Sequence, residues 1–357
     1  MKLRALFALA LCACLMSVVA NDAAARQAPR EQPDASVDDA ARREVVESLV
    51  KRLNDMYVFP KVAAEMEQAV RARLGRGEYD RLTGAREFAE KLTADIQEVS
   101  RDKHLRVRYS PTGGPREPRR RDVSSNSYGF HKVERLPGNI GYVELLNFLG
   151  AEGGAAKVAS VFNSLADTDA LIFDLRRNGG GEPEMVALIC SYLFGPEPVH
   201  LNSLHWRAGD RERVEEFWTH REVAGRRYTG KDVYVLTSGR TFSGAEEFTY
   251  NLKNLKRATV VGETTGGGAN PGDTIRLSNH FSAFIPTGRA VSPVTKTNWE
   301  GTGVEPDVKV PADRALRTAQ LMALKKALDK TADDKLKGAL RREIDVLQNE
   351  DGRPQSK

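Results

Sequence analysis

The sequence predicts an α/β protein, with a parallel-type core carrying helices on its sheet and a small three-helix bundle in front of it. Three observations carry that prediction. Residues 38–100 repeat their apolar positions only at helical spacing. From Ala170 onward, short β-branched apolar runs alternate with helical stretches. Two of those strands pass into their helices through a turn bearing glycine, at Asn178–Gly181 and at Ser238–Gly244.

The elements follow in chain order. Met1–Arg4 is basic and Ala5–Ala20 is a short apolar run, the pattern of a secretory signal peptide over 1–20, cut after Ala20 or at Ala23–Ala25. The run is too short for a stable membrane span, and Leu11–Cys14 is a poor match to a lipid-attachment box. An exported protein, periplasmic or secreted, is expected, with a polar, disordered leader over 21–37. Val45, Val46, Leu49, Val50, Leu53 and Tyr57 share one helical face that Phe59-Pro60 ends. Val62, Met66, Val70 and Leu74 mark a second helix, closed by Gly75, and Phe88, Leu92, Ile96 and Val99 a third. Short amphipathic helices bury a common face by packing together, so 38–100 reads as a helical domain.

The region 101–312 reads as the α/β domain. Strand-like runs lie at 105–109 and, after Pro137-Gly138, at 140–146, and residues 155–165 are helical. Ala170–Leu175 is a buried strand, followed by the Asn178–Gly181 loop and a helix from Pro183 to Phe194. Val233–Leu236, the turn before Ser243, and a helix to Leu255 repeat the unit, and Ala258–Gly262 is the next strand. Residues 196–230, rich in His, Trp and Arg, form an excursion from this core. A basic, proline-rich loop occupies 111–127, and a charged helical tail occupies 313–348.

Composition excludes several functions. Of 357 residues, 40% are hydrophobic and 29% charged, as in an ordinary globular protein. Losing Lys2 and Arg4 with the signal lowers the formal charge from +5 to +3, too small an excess to imply nucleic acid. Cys12 and Cys14 leave with the signal, so Cys190 stands alone in an apolar run and no disulfide framework exists. The histidines lack metal-binding spacing, and no Gly-Lys-Ser/Thr ending supports a phosphate loop. No metal and no organic cofactor are expected.

Strand, tight turn, serine and helix place Ser243 at a helix N-terminus, where dipole and free N–H groups stabilise negative charge. Ser243–Glu246 equally fits a capping box, in which the serine serves only the helix. Asn178–Gly181 exposes backbone N–H groups for an oxyanion, or is simply a tight turn. Gly262–Asn270 is a second glycine loop that walls a cleft. His104 follows Asp102-Lys103 at the mouth of a strand, with an ordinary pKa suited to a general base. Glu300, flanked by Trp299 and Gly301, suits a residue that orients a histidine, or is a surface carboxylate.

Four ordered motifs then resemble a family: Phe173–Gly181, Thr241–Glu247, Val261–Thr265 and Trp299–Asp307. They are similar to tail-specific (C-terminal processing) serine peptidases, in the branch related to the tricorn protease core and interphotoreceptor retinoid-binding protein, over residues 38–312. The resemblance implies a crotonase/ClpP-like ββα superhelix and a serine peptidase acting on peptides or proteins. It points to Ser243 as nucleophile, with the N–H of Gly244 and of Gly179 or Gly180 as oxyanion donors. The processing branch pairs its serine with a lysine after a Gly-Glu-x-x-x-Gly segment, but Gly262–Gly268 holds no lysine. The tricorn branch pairs serine with histidine and glutamate, and the matching residues are His104 and Glu300, with Glu305 and Asp307 as alternatives to Glu300. Residues 110–130 leave no room for a PDZ module. Retinoid-binding relatives keep open a non-catalytic module for an apolar ligand, and an ester hydrolase needs the same triad.

Overall fold

The computed structural model describes residues 34–114, 127–209 and 211–349. The signal stretch 1–20, the leader over 21–33 and the centre of the basic loop, 115–126, lie outside the described residues.

Helix α1 (Asp39–Met56) starts at Asp38, whose Oδ1 accepts the Ala41 N–H at 2.8 Å. It stops before Phe59-Pro60 because Pro60 is the first residue of α2 (Pro60–Gly75), where a missing N–H costs nothing. Helix α3 (Ala85–Ser100) follows, then strand β1 (Arg106–Tyr109). The end of the expected leader is ordered: Ser36 bridges to Gly84 and Val37 is buried.

The central sheet contains β2 (Phe130–Leu136), β3 (Ile140–Leu145), β4 (Ala170–Asp174), β7 (Asp232–Thr237), β8 (Thr259–Gly262) and β12 (Val308–Lys309). Its order is β12-β8-β7-β4-β3-β2, parallel throughout except for the antiparallel edge β2. Strand side chains alternate between two covered faces, which is why these runs read as continuously apolar. Leu171, Phe173, Val233 and Val235 pack with α4 (Ala151–Leu165), α5 (Pro183–Leu193) and α6 (Gly244–Asn254). Ile140, Ile172, Tyr234 and Leu236 pack with α7 (Ala315–Lys330) and α8 (Asp334–Asn349). The charged tail is therefore the second cover of the sheet.

The excursion after α5 is a hairpin, β5 (His200–Ala208) and β6 (Arg211–Trp218), and β11 (Gly288–Val291) pairs with β5. Strands β9 (Gly272–Arg276) and β10 (Phe281–Pro286) pair with β1 in the order β1-β10-β9. That last sheet packs against the three helices expected over 38–100. Leu105, Val107, Leu277, Phe281, Ala283 and Ile285 join the core of α1–α3. From Ala35 onward the chain forms one compact unit. Three short helices leave an apolar side uncovered, and strands from far along the chain cover it.

Cys190 is a free, buried thiol, as expected, held above its ordinary range by burial and by the charge of Glu247. Glu247 on α6 is buried with no partner for Oε1, and burial pushes its carboxyl up to about 8. The folded chain thus holds this proton more tightly than an unfolded chain does, so its stabilising effect is complete below the ordinary glutamate range and is lost as pH rises through about 8. Glu247→Gln should accordingly gain stability over wild type on going from pH 5 to pH 8.5, by on the order of 1–4 kcal/mol in urea unfolding. An identical difference at both pH values would show that Glu247 is already ionised in the fold.

Candidate active site

Ser243 sits between β7 and α6 with φ 54° and ψ −125°, a strained conformation for a residue with a side chain. The surrounding bonds fix it there. Thr241 Oγ1 donates to the Leu175 carbonyl at 2.8 Å and accepts the Ser238 N–H at 3.0 Å. The Phe242 N–H donates to the Asn178 carbonyl at 3.1 Å. Glu246 Oε2 accepts the Ser243 N–H at 2.9 Å, the backward reach expected of a capping pair. The N–H groups of Glu246 and Glu247 donate to the Ser243 carbonyl at 2.8 and 2.9 Å. Helix capping and presentation of a hydroxyl are thus served by one geometry.

The Asn178–Gly181 loop is pressed against this elbow. A Cβ on Gly180 would lie 2.8 Å from both Gly244 N and Ser243 Cβ, and one on Gly244 would lie 2.9 Å from the Gly181 carbonyl oxygen. Gly180 has φ +111°, so glycine is required there for conformation as well as for space. The Asn178 side chain spans the loop, donating to the Leu145 carbonyl at 2.9 Å and accepting the Gly180 N–H at 2.8 Å. Of the expected oxyanion donors, Gly180 is therefore already engaged. Gly244, in the first turn of α6, is buried against the Gly180–Gly181 backbone, and Gly179 is exposed.

His104 lies just before β1. Its ring packs 4.6 Å from that of Phe242, the neighbour of Ser243, and 5.7 Å from that of Phe284. Gly268 closes the other side, since a Cβ there would come 2.6 Å from His104 Cε1. The enclosed imidazole is driven down to about 4 by burial and by the charge of Arg106. Glu300 Oε2 accepts the N–H groups of Ala269 and Asn270 at 2.5 and 3.1 Å. Burial, then the charge of Asp102, pushes its carboxyl up to about 7. His104 Nδ1 and Glu300 Oε1 are both buried without a hydrogen-bond partner. Among the described residues, Asp102, His104 and Glu300 form a cluster whose ligand atoms lie within 4.8 Å of one another. Asp307, an alternative to Glu300, instead accepts the Val260 N–H at 2.8 Å and pairs with Lys253 at 3.2 Å.

Glu246, read from the sequence only as a cap, also holds the second glycine loop. Oε1 accepts Thr265 Oγ1 at 2.5 Å and the Gly267 N–H at 2.6 Å, and Oε2 accepts the Gly268 N–H at 2.8 Å. Lys103 reaches this loop from outside, its Nζ donating to the Gly266 carbonyl at 2.5 Å. Asp102, to which the sequence assigns no role, accepts the backbone N–H of His104 through Oδ1 at 2.9 Å.

The strained Ser243, the glycine loop pressed against it, His104 against Phe242 and Glu300 within 4.8 Å of His104 are brought together by the fold. Residues 139–310 match the family model described as peptidase family S41, and residues 39–130 match that of the N-terminal domain of peptidase S41 in eukaryotic IRBP. The chain belongs to peptidase family S41. The chloroplastic carboxyl-terminal-processing peptidase 2 of Arabidopsis thaliana is 27% identical over 183 residues, 49% of this chain and 34% of that protein. The chain thus spans about a third of the length of that curated relative. A Parabacteroides merdae protein superimposes with a TM-score of 0.58 at 21% identity, over 79% of this chain and 96% of that one. The photosystem II D1 C-terminal processing protease gives 0.50 at 14% identity, over 76% and 93%. The tricorn protease gives 0.50 at 15% identity, over 87% and 37%. At these identities the structural likeness is one of fold. His104 comes from the segment matched to the N-terminal domain and Ser243 and Glu300 from the segment matched to the peptidase domain.

The close approach at Gly180 gives a direct test. Gly180→Ala puts a methyl into the elbow at a left-handed φ, so reactivity of Ser243 should fall at least tenfold while the protein stays folded, read by active-site labelling and circular dichroism. Unchanged labelling would show that the loop yields freely.

Proposed function

We propose that this S41 protein is an exported serine peptidase that hydrolyses peptide bonds through an acyl-enzyme on Ser243, with His104 as general base and acid and Glu300 as its orienting partner. Its scaffold is read as a ββα superhelix of the crotonase/ClpP type. The observation that carries the reading is the pair of unpartnered buried atoms, His104 Nδ1 and Glu300 Oε1, beside the strained Ser243 elbow. A ring nitrogen of His104 lies within 4.8 Å of a carboxylate oxygen of Glu300, and a turn of the two side chains toward each other makes an Nδ1–H···Oε1 bond, the tightening expected when a substrate fills the cleft.

In that mechanism Ser243 Oγ attacks the scissile carbonyl carbon as its proton passes to His104. The carbonyl oxygen takes the negative charge and is held by the N–H groups of Gly244 and Gly179. Collapse breaks the C–N bond, and His104 returns the proton to the leaving amine. Water, deprotonated by His104, then releases the acid and restores Ser243. Peptide or protein chains are the substrates, C-termini among them, in keeping with the processing peptidases it resembles. Export rests on the basic start and apolar run of residues 1–20.

The test is fluorophosphonate labelling of the mature protein. Wild type should label at Ser243, Ser243→Ala should not label, and His104→Ala should label about 100-fold more slowly. A folded wild type that takes no label would overturn the assignment.

The pH dependence has a defined sign. The working form needs a neutral His104 and an ionised Glu300. His104 is neutral above about 4, while Glu300 takes up a proton below about 7. The labelling rate should thus fall as pH drops below about 7, by about tenfold between pH 9 and pH 5. A rate flat down to pH 5 would rule out Glu300 as the acceptor.

A further inference from the structure

We propose that Asp102 is a second acidic partner of His104, positioning the imidazole and sharing with Glu300 the negative charge that holds the imidazolium formed when Ser243 gives up its proton. The proposal rests on the reading of Ser243, His104 and Glu300 given above.

Three observations support it. Asp102 is 1% exposed, and a carboxylate oxygen lies within 4.8 Å of a ring nitrogen of His104. Oδ1 accepts the backbone N–H of His104 at 2.9 Å, while Oδ2 accepts Asn270 Nδ2 at 2.9 Å and the Tyr57 hydroxyl at 3.2 Å. Asn270 also gives its N–H to Glu300 at 3.1 Å, so one residue spans both carboxylates. All of these donors are neutral. No lysine or arginine pairs with Asp102 among the described residues, and a buried carboxylate without a counter-charge is costly. The cation that this enclosure can supply is the imidazolium of His104, whose ligand atom lies within 4.8 Å of both acids.

The other charged and titratable groups facing the cluster are few. Glu246 on α6 adds negative charge near Glu300, Arg106 on β1 opposes a charge on His104, and Tyr57 closes the end of α1. Lys103 is directed to the Gly266 carbonyl. With Asp102 ionised, Glu300 binds its proton more tightly, so removing that charge should ease the ionisation of Glu300.

The experiment is the rate of Ser243 phosphonylation from pH 5 to pH 9 in wild type, Asp102→Asn, Glu300→Gln, His104→Ala and the Asp102→Asn/Glu300→Gln double variant, with thermal unfolding as the check on folding. Asp102→Asn should lower the plateau rate at least tenfold and move the acid limb at least half a pH unit downward. A role confined to holding the backbone would lower the rate and leave the limb in place, and an unmoved limb overturns the proposal. Glu300→Gln should keep a rate about tenfold above His104→Ala, because Asp102 still faces the imidazole, and the double variant should fall to the His104→Ala rate. Glu300→Gln already at that rate overturns the proposal, and this comparison decides the matter alone where Asp102→Asn does not fold. A wild type that takes no label removes the reading of the site and this assignment with it. A labelled wild type beside either failed expectation removes this assignment only.

Discussion

The site depends on one buried carboxylate, that of Glu246. In the first turn of α6 it accepts donors from Ser243, Thr265, Gly267 and Gly268. Each bond joins a separate part of the centre. Ser243 is held in its strained conformation, and Gly268 is held against the His104 ring. Thr265, through its Oγ1, also accepts the Val304 N–H at 2.7 Å and so anchors the segment that carries Glu300. Burial works against this charge, raising its pKa, while the hydroxyl and backbone donors lower it. A carboxylate with that many donors can be retained inside a protein without a cation beside it.

What Glu246 joins is scattered in sequence but close to the sheet. The elbow and the Asn178–Gly181 loop follow the C-terminal ends of adjacent parallel strands, β7 and β4, where open α/β sheets present their chemistry. His104 comes from the other side, at the end of α3 where β1 begins, and β10 presents Phe284 to its ring. The helical segment therefore contributes His104 to the site as well as apolar surface. Its core is completed by β9 and β10, which the chain supplies immediately after the Glu246-bound loop.

Local signals revealed much of this and missed the rest for definable reasons. Helical periodicity located α1–α3 because one face of each is buried, and apolar runs located β4 and β7 because both faces of the sheet are covered. Ser243 was visible as strand, turn and helix, and the strain that distinguishes it from a plain cap is a backbone property that residue types do not encode. Pairing of His104 with Glu300 came from the family resemblance, since nothing local links residues so far apart. Gly180 was read as one of two equivalent donors, because the bond from its N–H to Asn178 Oδ1 depends on where a side chain folds back. The strands that pack on the three helices were not legible for the same kind of reason: the residues from Leu277 to Ile285 that join that core carry no helical pattern.

The lysine missing from Gly262–Gly268 has a structural consequence. With Glu246 filling the space behind that loop by accepting two of its N–H groups, the loop is an arrangement of donors around an anion. In the proposed mechanism the proton acceptor for Ser243 comes from across the cleft, where His104 contacts Phe242. His104 resists protonation in its enclosure, so the charge it gains during reaction has to be matched locally, at the moment it forms. Glu300 and Asp102 lie at that place, one tied to the catalytic loops by Ala269 and Asn270 and the other tied to α1 through Tyr57. Loss of the contact between the N-terminal helices and the loops would thus separate the base from its counter-charge without touching Ser243. In the proposed mechanism the two S41 segments of this chain therefore work as one unit, joined by the charges they share around His104.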